Sequence, residues 1–470
     1  MKVQTSLRQH ARAVALLVMM SGAATVVGQV AVTNPAPEPS AVESSTEQGH
    51  TQLDESFPDW RDWRLEKRRQ ALKDTKFEFN LRTYYFDRSD FSSDEKQAWA
   101  IGGWAGFKTG YFLDHIAFGA TGYLSEPLYA PDDRDGTTLL APGQEGYEVL
   151  GEAYAEIRII DGLTINVGRK GYDTPFINRN DSRMTPNTFE AIVLQGRVEL
   201  EKDDTPTTVV DPKDGPAPAP TAKKDLAVIK YGLGYFDQIK ERNSDDFVSM
   251  ARDAGADAER GVFSGGAIYE KGKFSIGAID YYSEDIINIA YAETKMELPF
   301  SPDFKPRLAA QFVDQRNTGD NLLQGNEFNS DQIGLKLEVP VQKLLFTAAF
   351  TTAWGDANLR APWSGYPGYT SVQVQDFNRM GESAFLFRIG YDFPGVDGLS
   401  AYALAVFGTD PDGDTQYRQD EYDVNLQWAP KKNRLKGLSL RLRYGVVNQD
   451  GGGVDNLTDF RAICNYVINF

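Results

Sequence analysis

The chain has 470 residues, with 67 acidic against 49 basic side chains, a formal net charge of −18, 12% aromatic residues and one cysteine, Cys464. So acidic a chain is no partner for nucleic acid, whose phosphates need a basic surface. A lone cysteine excludes an internal disulfide and any cysteine-rich metal site. The length allows two or three ordinary domains or one large barrel.

In chain order, Lys2, Arg8 and Arg12 come first, followed by AVALLVMMSGAATVVG, a short apolar run ending in small residues. This is the layout of a secretory signal over 1–28, cleaved near Gly28. The competing reading, a membrane anchor helix, is weakened by Ser21, Gly22 and the polar QVAVTNPAPEPS that follows. No later stretch is long and apolar enough for a membrane helix, so a mature chain in a membrane must be there as a closed barrel. Residues 29–76 read as a flexible periplasmic leader, rich at first in Pro, Ser, Thr and Glu. The leader ends in DWRDWRLEKRRQALKDTK, either a short helix near the periplasmic mouth or a solvated charged run.

From Phe77 the side chains alternate. FEFNLRTYYF sets Phe77, Phe79 and Leu81 against Glu78, Asn80 and Arg82, and the same period of two returns in HIAFGATGYL, LTINVGR, AIVLQGRVEL, SDQIGLKLEV, EYDVNLQWAP and LSLRLRYG. In the tail RAICNYVINF, Phe460, Ala462, Cys464, Tyr466, Ile468 and Phe470 share one face, and Arg461, Asn465 and Asn469 the other, with Ile463 and Val467 as apolar exceptions. Short gaps (FLDH, IIDG, YEKGK, PVQK, FPGVDG) alternate with long ones (125–147, 170–188, 238–260, 355–380). Short periplasmic turns alternating with long outer loops are the pattern of an outer-membrane barrel, here with about eighteen strands between Phe77 and Phe470. Alternation is weak over 261–298. One long Pro/Ala-rich gap, 201–224, falls where parity demands a short periplasmic turn, so it is an insertion or the count is wrong by a hairpin. A soluble all-β protein would have to explain the signal, the loop rhythm and the terminal Phe together. The expectation is an all-β, antiparallel transmembrane barrel over 77–470 whose last strand closes it. A terminal aromatic such as Phe470 also suits recognition by the outer-membrane assembly machinery.

Several segments resemble the OprD-type family of substrate-selective outer-membrane porins. LRTYYFDR at 81–88 is similar to the family's first strand, and the run from TGYFLDHIAFGATGYL to AEIRI to its second to fourth strands. GRKGYDTPFINRNDSRMTPNTFEA resembles the third outer loop, KERNSDDFVSMARDAG the fourth, and GYPGYTSVQVQDFNRMGE the seventh. The resemblance implies a monomer or loose homotrimer with outer loops folded inward to a narrow eyelet. It also implies passage of small solutes, commonly carboxylates such as amino acids, along a basic lumenal ladder.

If the apolar sets face lipid, the opposite parity places Arg82, Arg158, Arg197, Lys230, Arg307, Lys336, Arg388, Arg441, Arg443 and Arg461 in the lumen. Arg suits a carboxylate because its planar fork grips both oxygens. Arg441 and Arg443, two apart on one face, are the strongest members of such a track, while Arg82 and Arg158, near several lumenal acids, are the first to be read as structural. The blander reading is that these cations solvate the wall and pair with Glu78, Glu152, Glu156, Glu199 and Asp423. The resemblance assigns Tyr172, Asn178, Arg179, Asp181 and Arg183 to the eyelet from the third loop, and Tyr366, Tyr369, Asp376, Asn378 and Arg379 from the seventh. Asp181 and Asp376 serve equally well as braces that satisfy loop polar groups.

Other function classes fit less well. The three histidines lie in the signal, the leader and a predicted turn (His115), which leaves a Ser-His-Asp hydrolase without a base. No nucleotide loop, cofactor motif or metal cluster is present in the spacing. A plugged receptor needs a globular N-terminal domain longer than the leader allows. A general diffusion porin and a structural or adhesive barrel remain as alternatives, separable by selectivity and by conductance. Outer-membrane lipid, lipopolysaccharide and small solutes are the expected partners.

Overall fold

The fold comes from a computed structural model, which describes residues 60–200, 226–301, 304–323, 326–409, 411–413, 417–451 and 456–470. The secretory signal, the leader up to residue 59 and the Pro-rich stretch 201–224 lie outside these residues.

The first strands are β1 (Lys76–Ser89), β2 (Glu95–Lys108), β3 (Ile116–Tyr129), β4 (Tyr147–Ile160), β5 (Leu163–Lys170) and β6 (Thr188–Glu199). They continue with β7 (Ala227–Lys240), β8 (Val262–Lys271), β9 (Phe274–Ser283), β10 (Ile287–Glu297), β11 (Arg307–Arg316) and β12 (Asn329–Val341). The last six are β13 (Leu344–Gly355), β14 (Ser383–Asp392), β15 (Leu399–Gly408), β16 (Gln419–Trp428), β17 (Leu438–Gln449) and β18 (Asn456–Asn469). Each pairs antiparallel with its neighbours in chain order; a further two-residue rung, Val248–Ser249, lies against β7 outside the ring. The ring closes where β18 returns to β1, with Phe79 opposite Ile468 and Arg82 opposite Asn465. Phe77 and Phe470 exchange both backbone hydrogen bonds, at 3.3 and 3.0 Å, so the terminal aromatic seals the seam. The barrel thus has eighteen antiparallel strands, the architecture read from the alternation.

At the lower end, where β1 begins and β18 ends, several turns are tight. Gly162 (φ +83°) and Gly272 (φ +56°) adopt left-handed backbone in turns after β4 and β8, which costs glycine little. Pro127 sits beside a register shift between β2 and β3, a place where its missing N–H breaks no regular ladder. Between β6 and β7, Leu200 N donates to Ala227 O at 2.8 Å, so the hairpin closes at the base of the 201–224 stretch.

The outer surface carries exposed Leu81, Phe118, Ile192, Phe312, Leu335, Phe387 and Leu442 around its circumference. An apolar band on that scale needs lipid rather than water. Aromatics flank it, with Phe77, Phe107 and Phe274 low and Trp99, Phe263, Tyr282 and Trp354 high on their strands.

Inside, one half of the barrel is filled. Strand residues Val193, Phe236, Tyr281, Ile289, Tyr291 and Val313 pack with Phe176, Met250, Trp363 and Tyr366, which come from the upper loops 171–187, 241–261 and 356–382. This explains the weak alternation over 261–298. Where loops fill the lumen, inward positions are apolar as well as outward ones. Ile463, an exception in the tail, likewise packs inside, against Tyr84 and Phe86 under loop 130–146.

Helix α1 (Trp60–Lys73) precedes β1, so the DWRDWRLEKRRQALK stretch is helical, as its many Arg, Leu, Glu, Lys and Ala residues favour. It docks on the turn between β2 and β3. Gly110 N donates to Ala71 O at 2.9 Å, and Lys67 pairs with Asp114 at 2.6 Å. A Cβ on Gly110 would lie 3.0 Å from Ala71 Cα, too close for any larger residue without a shift.

Candidate functional site

Register places all ten basic side chains named above on the lumenal face. Arg443 stands opposite Arg461, Arg197 opposite Lys230, and Lys336 opposite Ala349 on the inner face of β13. Their partners divide them. Arg197 pairs with Glu199 at 3.1 Å, Lys230 with Glu270 at 2.8 Å, and Arg307 with Glu338 at 3.3 Å. Arg461 is buried and grips Asp459 at 2.6 Å. Arg158 stacks on the Tyr111 ring at 3.7 Å.

Like Arg158, four more form no ion pair among the described residues. Lys336 Nζ lies 4.4 Å from the Tyr369 ring centre, and the Arg388 guanidinium 3.9 Å from that of Tyr402. Arg441 Nε donates to Asn425 Oδ1 at 2.5 Å. Arg443 Nε is buried with no hydrogen-bond partner among the described residues.

The lumenal acids on the same wall are occupied by loop 356–382. At its tip, Val374 N and Gln375 N donate to the two Glu421 oxygens at 2.8 and 2.7 Å, and Gln373 N donates to Asp423 Oδ2 at 3.2 Å. Gln373 Nε2 reaches Asp459 Oδ1 at 2.7 Å, and Arg461 Nη2 donates to Gln373 O at 2.9 Å. Charge-assisted bonds of this kind hold a backbone turn firmly. They engage both oxygens of Glu421 and one of Asp423, so loop backbone takes up much of the acid on this wall.

Loop 171–187 is held by Arg82. Its guanidinium donates to both Asp181 oxygens, at 2.6 and 3.1 Å, to Arg183 O, and to Asn465 Oδ1 at 2.6 Å. Arg183 turns outward from the pore, donating to Thr137 O at 2.9 Å and Thr138 Oγ1 at 2.8 Å. Burial, followed by repulsion from Arg242 and Arg461, pulls its guanidinium well below the ordinary range. Phe86 offers a shared face to three cations, Arg461, Arg183 and Arg88, at 5.0, 5.1 and 5.3 Å. Loops 171–187 and 241–261 are tied through Lys240, fully buried, whose Nζ donates to Glu241 O at 2.8 Å and Thr185 Oγ1 at 3.3 Å.

The remaining eyelet candidates fall into two groups. Tyr172 packs edge-on to Phe236, and Tyr366 edge-on to Phe176 with its hydroxyl on Gln332 at 2.9 Å; both are interior packing. Asn178 donates to Gly365 O at 3.5 Å, Asn378 to Leu359 O at 2.7 Å, and Arg379 binds Glu382 at 2.5 Å, so these three brace loops. Asp376 accepts from Ser371 Oγ at 2.5 Å, and burial pushes its carboxyl above the usual range. Arg179, bridged to Asp173 at 3.2 Å, and Asp181 both keep substantial exposure. They line a cavity of about 440 Å³ below loop 171–187 together with Trp104, Tyr123, Tyr154 and Glu152. Tyr369 is half-buried, with its hydroxyl on Glu293 at 2.8 Å.

Glu421, Gln373 and Asp459 escape a sequence reading, although the pairs Glu421/Asp423 and Asp459/Arg461 do show i, i+2 lumenal parity. Trp363 gives no such signal. No cluster of three or more His, Cys, Asp or Glu side chains placed to hold a metal occurs among the described residues.

The sequence matches the family described as outer membrane porin, OprD family, over residues 70–201 and 221–470. Among solved structures, OpdK of Pseudomonas aeruginosa with vanillate superposes with a TM-score of 0.68 at 19% identity, covering 85% of this chain and 100% of that one. OccK9 (OpdG) of Pseudomonas aeruginosa gives 0.71 at 20% identity, with the same 85% and 100% coverage. A BenF-like porin from Pseudomonas fluorescens gives 0.71 at 16%, again covering 85% and 100%. Among curated protein sequences, none matches.

Proposed function

Since this chain belongs to the OprD family of outer membrane porins, and so is a channel of the Gram-negative outer membrane rather than an enzyme, we propose that it passes small carboxylates or amino acids selectively and passively. The observation that supports this most directly is the set Lys336, Arg388, Arg441 and Arg443. These four lumenal cations form no ion pair among the described residues, while Glu421 and Asp423 accept from loop backbone and Asp459 is held by Arg461. A cationic wall selects anions, and several weak sites in sequence let each solute leave as readily as it enters. Arg441 and Arg443 lie about 6.6 Å apart along one strand face, a spacing that hands a carboxylate from one guanidinium to the next. Arg197, Lys230 and Arg307, each with an acidic partner, continue the track toward the periplasm with weaker pull. Tyr369, Arg179 and Asp181 are the eyelet groups with room to touch a solute. OpdK, similar in fold, was solved with vanillate, an aromatic carboxylate.

The exposed ring of Phe470 is where the assembly machinery would read the closing strand, and the barrel works as a monomer or in a loose homotrimer.

The test is reversal potential and single-channel current in planar bilayers under a salt gradient, followed by addition of vanillate and small amino acids. Anion preference with current block by a carboxylate is expected, and Arg441→Gln with Arg443→Gln should reduce both while the barrel stays folded. Unchanged selectivity in that double variant would remove the track from the account. Passage governed by solute size alone would make this a general diffusion porin, and no conductance at all a structural barrel.

A further inference from the structure

Helix α1 does not resemble the rest of the chain. Its fourteen residues hold six basic and two acidic side chains, on a protein whose net charge is −18. It also starts ten residues before the family match begins.

Ala71 and Lys67 face the barrel, through the Gly110 and Asp114 contacts. Residues three, four and seven apart share a helix face. The opposite face therefore carries Leu65, Arg68, Arg69 and Leu72, with Lys73 and Glu66 at its edge, and all six are exposed; Leu72 is 63% exposed. The helix docks at the lower rim of β1 to β3, where the outward side chains are Phe77, Phe107 and Phe118. This is the edge of the lipid-facing band. The cavity near that rim is lined by Lys76, Lys108, Asn469 and Phe470, among others, and by no described residue of α1.

We propose that α1 is an interfacial arm, whose stripe of Leu65, Arg68, Arg69, Leu72 and Lys73 lies on the anionic phospholipid headgroups of the inner leaflet. Two features select this partner. Cations flanking exposed leucines suit a surface that is charged at the headgroups and apolar beneath, since long basic side chains can reach the headgroups while leucine dips below. The stripe also continues the lipid-facing surface of the barrel rather than standing apart from it. Peptidoglycan would satisfy the charge and leave the leucines in water. Attachment is chiefly electrostatic, because the helix is polar overall.

The only cysteine, Cys464, can be replaced by Ser. On that background, Leu65→Cys or, independently, Leu72→Cys carries an environment-sensitive fluorophore in the whole chain, reconstituted into phosphatidylcholine bilayers with or without phosphatidylglycerol. With phosphatidylglycerol, the emission should shift to the blue, be quenched by nitroxide-bearing lipids and be shielded from iodide. High salt should reverse this. Replacing Arg68, Arg69 and Lys73 together with Gln should lower the bound-to-free ratio about a hundredfold, roughly fivefold per cation. Equal iodide access in both bilayers, at both label positions, would overturn the proposal. So would protection that appears only when peptidoglycan is added.

Discussion

Removing the guanidinium of Arg82 should loosen the eyelet without unfolding the barrel. Arg82 makes five donations onto loop 171–187 and β18: two to Asp181, one each to Arg183 O and Met184 O, and one to Asn465. Bonds to a charged group are worth about 1.5–3 kcal/mol each when fully buried. Only Arg82 is buried here, its side chain at 8% exposure against 39% for Asp181. Water replaces part of what Asp181 loses, so the two bonds to it count for about 1–2 kcal/mol together. The Arg183 carbonyl, left without this donor, adds about 1 kcal/mol. Arg82→Gln should therefore weaken docking of the loop by about 2–3 kcal/mol, a shift of roughly 30- to 150-fold in the docked-to-undocked ratio. Single-channel recording reads this as brief excursions to higher conductance and increased open-channel noise. Asp181→Asn should give a smaller effect, since it spares the Arg183 and Asn465 bonds. The double variant should fall short of the sum, because the two residues share one interaction. An Arg82→Gln channel that is folded by circular dichroism yet matches the parent in conductance and noise would mean that Arg82 does not hold the eyelet loop.

Trp363→Ala should cost about 3–5 kcal/mol in packing between loops 241–261 and 356–382, because the ring is fully buried and its Nε1 bonds Met250 O at 2.8 Å; limited proteolysis should then cut those loops first. Glu421→Ala removes the acceptor of two backbone donors in loop 356–382 and should raise conductance, with hydrogen exchange at Val374 and Gln375 faster by a factor of ten or more if about 1.5–3 kcal/mol is lost. Burial, with Glu241 second, lifts the Asp253 carboxyl in loop 241–261 to about 8. The docked loop then holds a proton that the free loop has released, so docking weakens as pH rises from about 4 to 8. Protection factors across 250–256, corrected for intrinsic exchange, should fall over that range, and Asp253→Asn should flatten the trend.

Strict alternation made the wall legible. Because a strand turns every second side chain inward, the lumenal placement of Lys336, Arg388, Arg441 and Arg443 needed no tertiary information, and the loop rhythm carried the strand number. Which cations stay free was not legible. That depends on where the tip of loop 356–382 lands, and the acceptors that catch it, Glu421 and Asp459, are tens of residues further along the chain. Tyr172 and Tyr366 illustrate the same limit. Both occur in segments that resemble eyelet loops, yet both rings pack into the filled half of the barrel, since nothing in a linear segment says which face of an irregular loop meets the wall. The apolar inner positions Ile279, Tyr281, Ile287, Ile289 and Tyr291 of β9 and β10 weakened the alternation because lumen packed with loop has the polarity of a core.

The closed base of the β6–β7 hairpin has a practical meaning. The Leu200–Ala227 hydrogen bond completes the ladder whatever the chain does between those residues, and the family match likewise pauses from 202 to 220. Lengthening a connection whose ends are held adds only about 0.6 kcal/mol per doubling. A folded passenger spliced there, such as a binding domain or a fluorescent reporter, would hang below the barrel at fixed stoichiometry with its termini already paired. This makes the chain a natural scaffold for displaying cargo on the inner side of the outer membrane, without touching the pore.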